Sequence, residues 1–229
     1  MKKKKVAVFD IDGTIFRSSL LIELTDALIQ EGIFPESITK IYARAYKNWL
    51  ERKDSYEKYI QAVVRAFDSY IKGTRHSEFK KISKQVANFH KNRVYRFTRD
   101  LVRQLKKTGY FLLAISHSPL EIVEEFCDRL GFDKVYGRVI EVDKKGRLTG
   151  KLLHSDLILN KAKILTRAVE RNNLTLRGSV GVGDTESDIT FLSLVDRPIC
   201  FNPNQKLYDY ARKKQWTTAV ERKDVIYYH

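Results

Sequence analysis

Two carboxylates stand two residues apart in Asp10-Ile11-Asp12-Gly13-Thr14, directly after the apolar run Lys5–Phe9. Residues two apart on a strand share a face. Where the chain leaves the strand, both carboxylates can therefore address one small site. Neighbouring anions repel, so the placement costs free energy unless a cation or a proton offsets it. Hard oxygen donors of this kind suit Mg²⁺. Gly13 lets the backbone approach a ligand closely, and Thr14 adds a hydroxyl. The plainer reading is a turn in which Asp and Gly serve only geometry.

A second acidic pair lies in Gly181-Val182-Gly183-Asp184-Thr185-Glu186-Ser187-Asp188, again after a short apolar run. Asp184 falls in the loop and Asp188 opens the next helix. Their four-residue spacing lets both reach one point above a sheet edge. Asp188 alone would read as an N-cap. Two acidic pairs, each at a strand's carboxyl end, support a metal site more strongly than either does alone.

Three further positions carry weaker signals. Ser116 ends the run Tyr110–Ile115. Its hydroxyl and the N–H groups after it can hold a phosphate oxygen, or Ser116 is an N-cap. His117 either contacts a substrate or is an exposed loop residue with no role. Lys161 opens a helix and can neutralise a phosphate. Lys163 offers the same charge two residues later, and either lysine can equally be solvated.

The elements that must position these residues follow from periodicity. Lys5–Phe9 reads as a buried parallel strand. Leu20, Leu21, Leu24 and Leu28 begin the first of four amphipathic helices, the others running over Ile38–Trp49, Tyr56–Ile71 and Phe79–Phe89. Strands then alternate with helices. Helices are expected at Thr98–Lys107, Pro119–Leu130, Asn160–Arg171, Asp188–Leu194 and Gln205–Lys214. Strands are expected at Tyr110–Ile115, Lys134–Tyr136, Ser179–Val182 and Pro198–Phe201, with a separate hairpin of Arg138–Val142 and Leu148–Leu152. This order predicts an α/β fold: a Rossmann-like parallel sheet with helices on both faces, and an all-helical cap inserted after the first strand. The expected division is a core of residues 1–16 and 90–229 and a cap of residues 17–89. The aromatics Trp49, Tyr56 and Tyr59 at helical spacing belong mostly to the cap interior.

Composition narrows the classes. Of 229 residues, 43% are hydrophobic, with twelve Phe, twelve Tyr and two Trp, which excludes disorder as the dominant state. Cys127 and Cys200 are the only cysteines, without CxxC or zinc spacing, so neither a disulfide framework nor a structural zinc is expected. No apolar run is long enough to span a bilayer, and Asp10 and Asp12 interrupt the one near the start. A cytoplasmic protein with no membrane partner is the expectation. The formal charge of +15 attracts anions, small or polymeric. No nucleic-acid-binding motif accompanies it, so nucleic acid is the less favoured partner.

Taken in chain order, DIDGT, Ser116, Lys161 and GDTESD resemble the four motifs of the haloacid dehalogenase (HAD) superfamily of phosphohydrolases. The resemblance covers the whole chain and is greatest to the phosphoserine-phosphatase-like branch, whose small helical cap follows the first motif. It implies a Mg²⁺-dependent phosphatase acting on a small phosphorylated metabolite. By position, Asp10 is then the nucleophile and Asp12 the general acid, then base. Mg²⁺ is then held by Asp10, the Asp12 backbone carbonyl, Asp184 and Asp188. Ser116 and Lys161 stabilise the transferring phosphoryl group, with Gly13, Thr14 and His117 beside the phosphate. Where phosphoserine phosphatases have a Ser after the second Asp and Gly-Gly after the second-motif Ser, this chain has Gly13 and His117-Ser118. Where they carry a Glu for the substrate ammonium it has Ser19, with Glu23 the nearest acid. The departures point away from phosphoserine. A polynucleotide phosphatase or binder remains the alternative suggested by charge. A receiver-type signalling domain shares the Asp, Ser and Lys set but lacks DxDGT and the helical insertion.

Overall fold

The structure is a computed structural model that describes residues 3–228. In chain order the elements are β1 Lys4–Asp10, α1 Leu20–Gln30, α2 Thr39–Leu50, α3 Tyr56–Tyr70, α4 His76–Phe89, α5 Arg96–Lys107, β2 Phe111–Pro119 and α6 Leu120–Asp128. They continue as β3 Lys134–Val142, β4 Leu148–Leu153, α7 Ser155–Ile158, α8 Lys161–Arg171, β5 Leu174–Gly183, α9 Ile189–Leu192, β6 Arg197–Phe201, α10 Gln205–Lys214, β7 Thr217–Arg222 and β8 Val225–Tyr228.

Among the described residues one eight-stranded sheet runs β4-β3-β2-β1-β5-β6-β7-β8. The six inner strands pair in parallel, and β4 and β8 close the two edges antiparallel. β1 is central and shows why both faces must be covered. Its alternate residues feed two separate cores: Ala7 and Phe9 pack with α1, α5 and α6, while Val6 and Val8 pack with α8, α9 and α10. This is the expected α/β sheet with helices on both faces.

Helices α1 to α4 form one block between β1 and α5, as the periodicity predicts. The chain leaves and re-enters the sheet layer through two segments held side by side. Arg17 N–H donates to the Arg93 carbonyl at 3.0 Å and Tyr95 N–H to the Ile15 carbonyl at 3.0 Å. Helix α4 also packs on α6.

Several expectations need correction. Lys134–Tyr136 and the Arg138–Val142 arm are not separate; β3 is continuous, its first half parallel to β2 and its second antiparallel to β4. Gly137 permits the continuity, because a Cβ there would stand 2.7 Å from Leu120 Cα. The helix expected over Asp188–Leu194 is a 3₁₀ turn, Glu186–Asp188, followed by the single turn α9. β5 is longer than expected, and α7, β7 and β8 lie where no element was expected. No helix among the described residues is long and apolar enough to cross a membrane.

Candidate active site

β1 and β5 are neighbours in the sheet, with Phe9 opposite Val182. Their carboxyl ends therefore deliver Asp10 and Asp184 to the same edge, the place where open α/β sheets bind ligands. Asp188 follows on the 3₁₀ turn. One carboxylate oxygen from each of Asp10, Asp184 and Asp188 lies within 4.8 Å of the others. Into this cluster α8 sends Lys161. Its Nζ donates at 2.5 Å to Asp10 Oδ1 and at 2.5 Å to Asp188 Oδ1, with its side chain 3% exposed. Lys163 is exposed on the same helix. The helix phase thus turns Lys161, and not Lys163, toward the acids.

Local geometry fixes the loops. Gly13 has φ +81°, and a Cβ there would meet Asp184 Oδ2 at 2.1 Å, so only glycine lets the two loops touch. Thr14 is buried, and its hydroxyl donates to Asp184 Oδ1 at 3.2 Å. Asp188 stands at the N-cap of α9 but makes no side-chain cap bond there. Its Oδ2 instead accepts from Asp184 N–H at 2.9 Å and from Thr185 N–H at 3.0 Å, the latter in a capping box in which Thr185 caps the 3₁₀ turn.

Asp12 shares the edge but turns its side chain away from the three-carboxylate cluster. Oδ1 accepts from Leu20 N–H at 2.5 Å at the start of α1, and Oδ2 accepts from the Ser116 hydroxyl at 2.5 Å and the Ser118 hydroxyl at 3.0 Å. Ser116, expected on a phosphate oxygen, is here a donor to Asp12, and Ser116 Oγ accepts from Ser118 N–H at 2.9 Å. Ser118 is a residue that sequence reasoning passed over.

Electrostatics follow from burying more negative than positive charge. Burial pushes the Asp10 carboxyl up to about 7; Lys161 opposes this, and Asp188 and Asp12 add to it. Burial also raises Asp184, reinforced by Asp10 and Asp188. Asp12 is raised by burial in spite of its three donors. Burial disfavours the Lys161 ammonium, but Asp10 and Asp188 reverse this and hold it protonated. Asp10 is therefore only partly ionised near neutral pH, and added positive charge favours its carboxylate. Three hard carboxylate donors with that deficit fit a Mg²⁺ ion.

A cavity of about 570 Å³ opens from these acids toward the helical block. Ser19, buried, lines it, whereas Glu23 does not. Glu23 is instead held by Arg93 at 2.6 Å, His90 Nε2 at 3.0 Å and the Ser18 hydroxyl at 2.8 Å. Beyond the sheet-edge acids, two carboxylates of α3 face the cavity, Glu57 and Asp68, the latter held by Arg138 at 2.6 Å, with Gln61 and Arg65 between them. The signal for these was present: α3 buries Tyr59, Ala62, Val63, Ala66 and Phe67, which leaves the 57-61-65 line on its other face. Of the cap aromatics, Tyr56 lines the cavity, while Tyr59 is buried with Trp49 stacked on it at 5.6 Å. His117 lines the cavity too, with burial pushing its imidazole down to about 4.

Known proteins match this arrangement. A family model described as haloacid dehalogenase-like hydrolase matches residues 7–193. Phosphoserine phosphatase SerB1 of Mycobacterium tuberculosis is 26% identical over 216 residues, covering 92% of this chain and 68% of the relative. A histidinol-phosphatase of Neisseria meningitidis is 24% identical over 222 residues, covering 93% of this chain and 97% of the relative. Among solved structures, a Bordetella pertussis Tohama I protein of unknown function superposes with TM-score 0.75 at 16% identity, over 95% of this chain and 98% of that one. With its sheet-edge acids, its lysine and these relatives, the chain belongs to the haloacid dehalogenase-like hydrolase family, in the phosphoserine-phosphatase-like branch, and is a hydrolase of the phosphatase type.

Proposed function

We propose that the chain is a Mg²⁺-dependent phosphomonoesterase that hydrolyses a small phosphorylated metabolite through a phosphoaspartate on Asp10. The observation that carries this reading is the meeting of Asp10, Asp184, Asp188 and Lys161 at the sheet edge, with Asp12 held apart by its own donors. Mg²⁺ would be held by Asp10, the Asp12 carbonyl, Asp184 and Asp188, and would supply the charge that offsets the anionic nucleophile and phosphate.

The protein's own groups divide the work. An Asp10 carboxylate oxygen attacks phosphorus, forming the Oδ–P bond as the bond to the ester oxygen breaks. Asp12 gives its proton to the departing alkoxide; its raised pKa suits a group that must carry that proton. Asp12 then takes a proton from water, whose oxygen attacks phosphorus and releases Asp10. The Ser116 and Ser118 hydroxyls keep Asp12 oriented for both transfers. Lys161 stabilises charge on the transferring group. The helical block of residues 17–89 serves as the cap that closes over the edge and chooses the leaving group.

The deciding experiment is a panel of phosphorylated metabolites assayed for phosphate release with Mg²⁺ and with EDTA. Activity is expected only with Mg²⁺, and Ca²⁺ is not expected to restore it, because calcium takes more ligands at longer distances. The pH dependence has a definite sign. Asp10 in the folded protein holds its proton to about 7, against 3.8 as the ordinary value. Metal-free stability therefore falls as pH rises between those values, and Mg²⁺ must displace that proton. The rise in Tm on adding Mg²⁺ is expected to be larger at pH 8 than at pH 5. Full activity in EDTA would remove the assignment.

Phosphoserine is expected to be a poor member of the panel. Ser19 offers no charge, and Glu23 is spent on Arg93 and His90. An ammonium placed where Ser19 and Glu23 offer no free carboxylate costs on the order of several kcal/mol, or orders of magnitude in kcat/KM. The support for a different leaving group includes the cavity volume and the histidinol-phosphatase among the relatives. A tenfold lead for phosphoserine over the rest of the panel would overturn this, and Glu57→Gln would then show whether Glu57 is its ammonium partner.

A further inference from the structure

His117 Nε2 is buried and has no hydrogen-bond partner. A buried polar atom left unmatched costs about 1–3 kcal/mol, so its presence needs a reason. The imidazole hydrogen-bonds the backbone carbonyl of Ile158, the last residue of α7. In a neutral ring, a nitrogen that donates to a carbonyl carries the proton, and the other nitrogen can then only accept. Nε2 thus asks for a donor.

The protein does not provide one. The charged and hydroxyl donors that line the same cavity nearby are committed elsewhere: Lys161 to Asp10 and Asp188, Arg138 to Asp68 at 2.6 Å, and Ser118 to Asp12. A fully ionised phosphate has no proton to give, and neither has a carboxylate. In the free protein water can meet Nε2; once substrate displaces it, the donor that takes its place is an O–H or N–H on the alcohol part of the substrate.

Resting on the phosphatase reading above, we propose that His117 is a specificity-determining residue whose Nε2 accepts a hydrogen bond from a hydroxyl or N–H group of the leaving group. The substrate is then a phosphomonoester whose alcohol bears a second polar group with a proton, such as a polyol. A plain alkyl or aryl phosphate leaves Nε2 unmatched and is disfavoured.

The test compares esters that differ in one donor. kcat/KM is measured for sn-glycerol 3-phosphate against propyl phosphate, and for phosphoethanolamine against ethyl phosphate, in the wild type, H117L and H117Q. The first pair reads O–H and the second N–H. The wild type is expected to favour the donor-bearing member of at least one pair by about ten- to hundredfold. H117L should bring that ratio close to unity, and H117Q, whose carbonyl can accept, should restore part of it. An unchanged ratio in H117L, or no preference in either pair, overturns the proposal. A second readout is independent of turnover. In ¹⁵N-labelled Asp10→Asn protein, sn-glycerol 3-phosphate should shift the Nε2 resonance of His117 while propyl phosphate does not. Equal Nε2 positions with both overturn the proposal. Absence of phosphate release from every ester would instead defeat the phosphatase reading, and the Nε2 comparison still decides the role of His117.

Discussion

Asp10→Asn is expected to lower turnover by about a thousandfold or more while leaving the fold intact, since a carboxamide keeps the shape of the side chain but cannot attack phosphorus. The stability side of this expectation has a sign as well. Asp10 and Asp188 are buried and share one lysine, with Asp12 and Asp184 half-buried nearby. Removing the charge of Asp10 relieves repulsion with Asp188 and Asp12, both of which raise its pKa. Lys161 keeps Asp188 as a partner at 2.5 Å. The Tm of the metal-free variant should therefore equal or exceed that of the wild type at pH 8. Rapid acid quench with a labelled substrate should trap phosphorus on wild-type protein and none on the variant. A variant with more than a few per cent of wild-type turnover would take the nucleophile's role away from Asp10.

The acids were legible in the sequence because their placement is local. A carboxylate at the end of an apolar strand stays at the sheet edge whatever the rest of the chain does. Asp10 and Asp184 required only that β1 and β5 be parallel, which alternation of strands with helices already implies. Lys161 was legible as a residue but not in its contacts, because Nζ meets Asp10 across 151 positions of sequence. The direction of Asp12 was hidden for the same reason. It depends on where α1 begins and on two serines more than a hundred residues away.

Elsewhere the loss of information has identifiable causes. The periodicity of α3 separates a buried face from a free one, but does not say that the free face looks onto the acids. Glu57 was therefore legible as a residue of the free face but not as a site residue, while Glu23, nearer in sequence, was drawn off by Arg93 and His90. β3 was read as two pieces because Gly137 resembles a break; the structure uses the missing Cβ to bring the strand against Leu120 instead. β7 and β8 escaped because Val225–Tyr228 is short and mostly exposed, so it carries little hydrophobic alternation.

Lys161→Met should have the second large effect, and it separates electrostatic from packing roles. The side chain is 3% exposed and holds two carboxylates at 2.5 Å each. Removing one partner of a buried ion pair costs about 3–5 kcal/mol, because the remaining charge is stranded. For a chain of this size that is a fall in Tm on the order of 10 °C. Methionine fills nearly the same space, so a cavity is not the cause. If charge is the cause, the deficit must depend on pH. Without the ammonium, Asp10 holds its proton more tightly in the folded protein than in the unfolded chain. Folding then takes up protons, and stability declines as pH rises. The difference in Tm between variant and wild type should be smallest near pH 5 and largest near pH 8. Mg²⁺ should recover more stability in the variant than in the wild type, because it supplies the charge that was removed. Turnover should not recover with it, since Lys161 also faces the transferring phosphoryl group; a loss of about a hundred- to thousandfold in kcat is expected even at saturating Mg²⁺. A Tm deficit independent of pH, or a variant that regains wild-type kcat when Mg²⁺ is raised, would show that Lys161 acts on the fold alone.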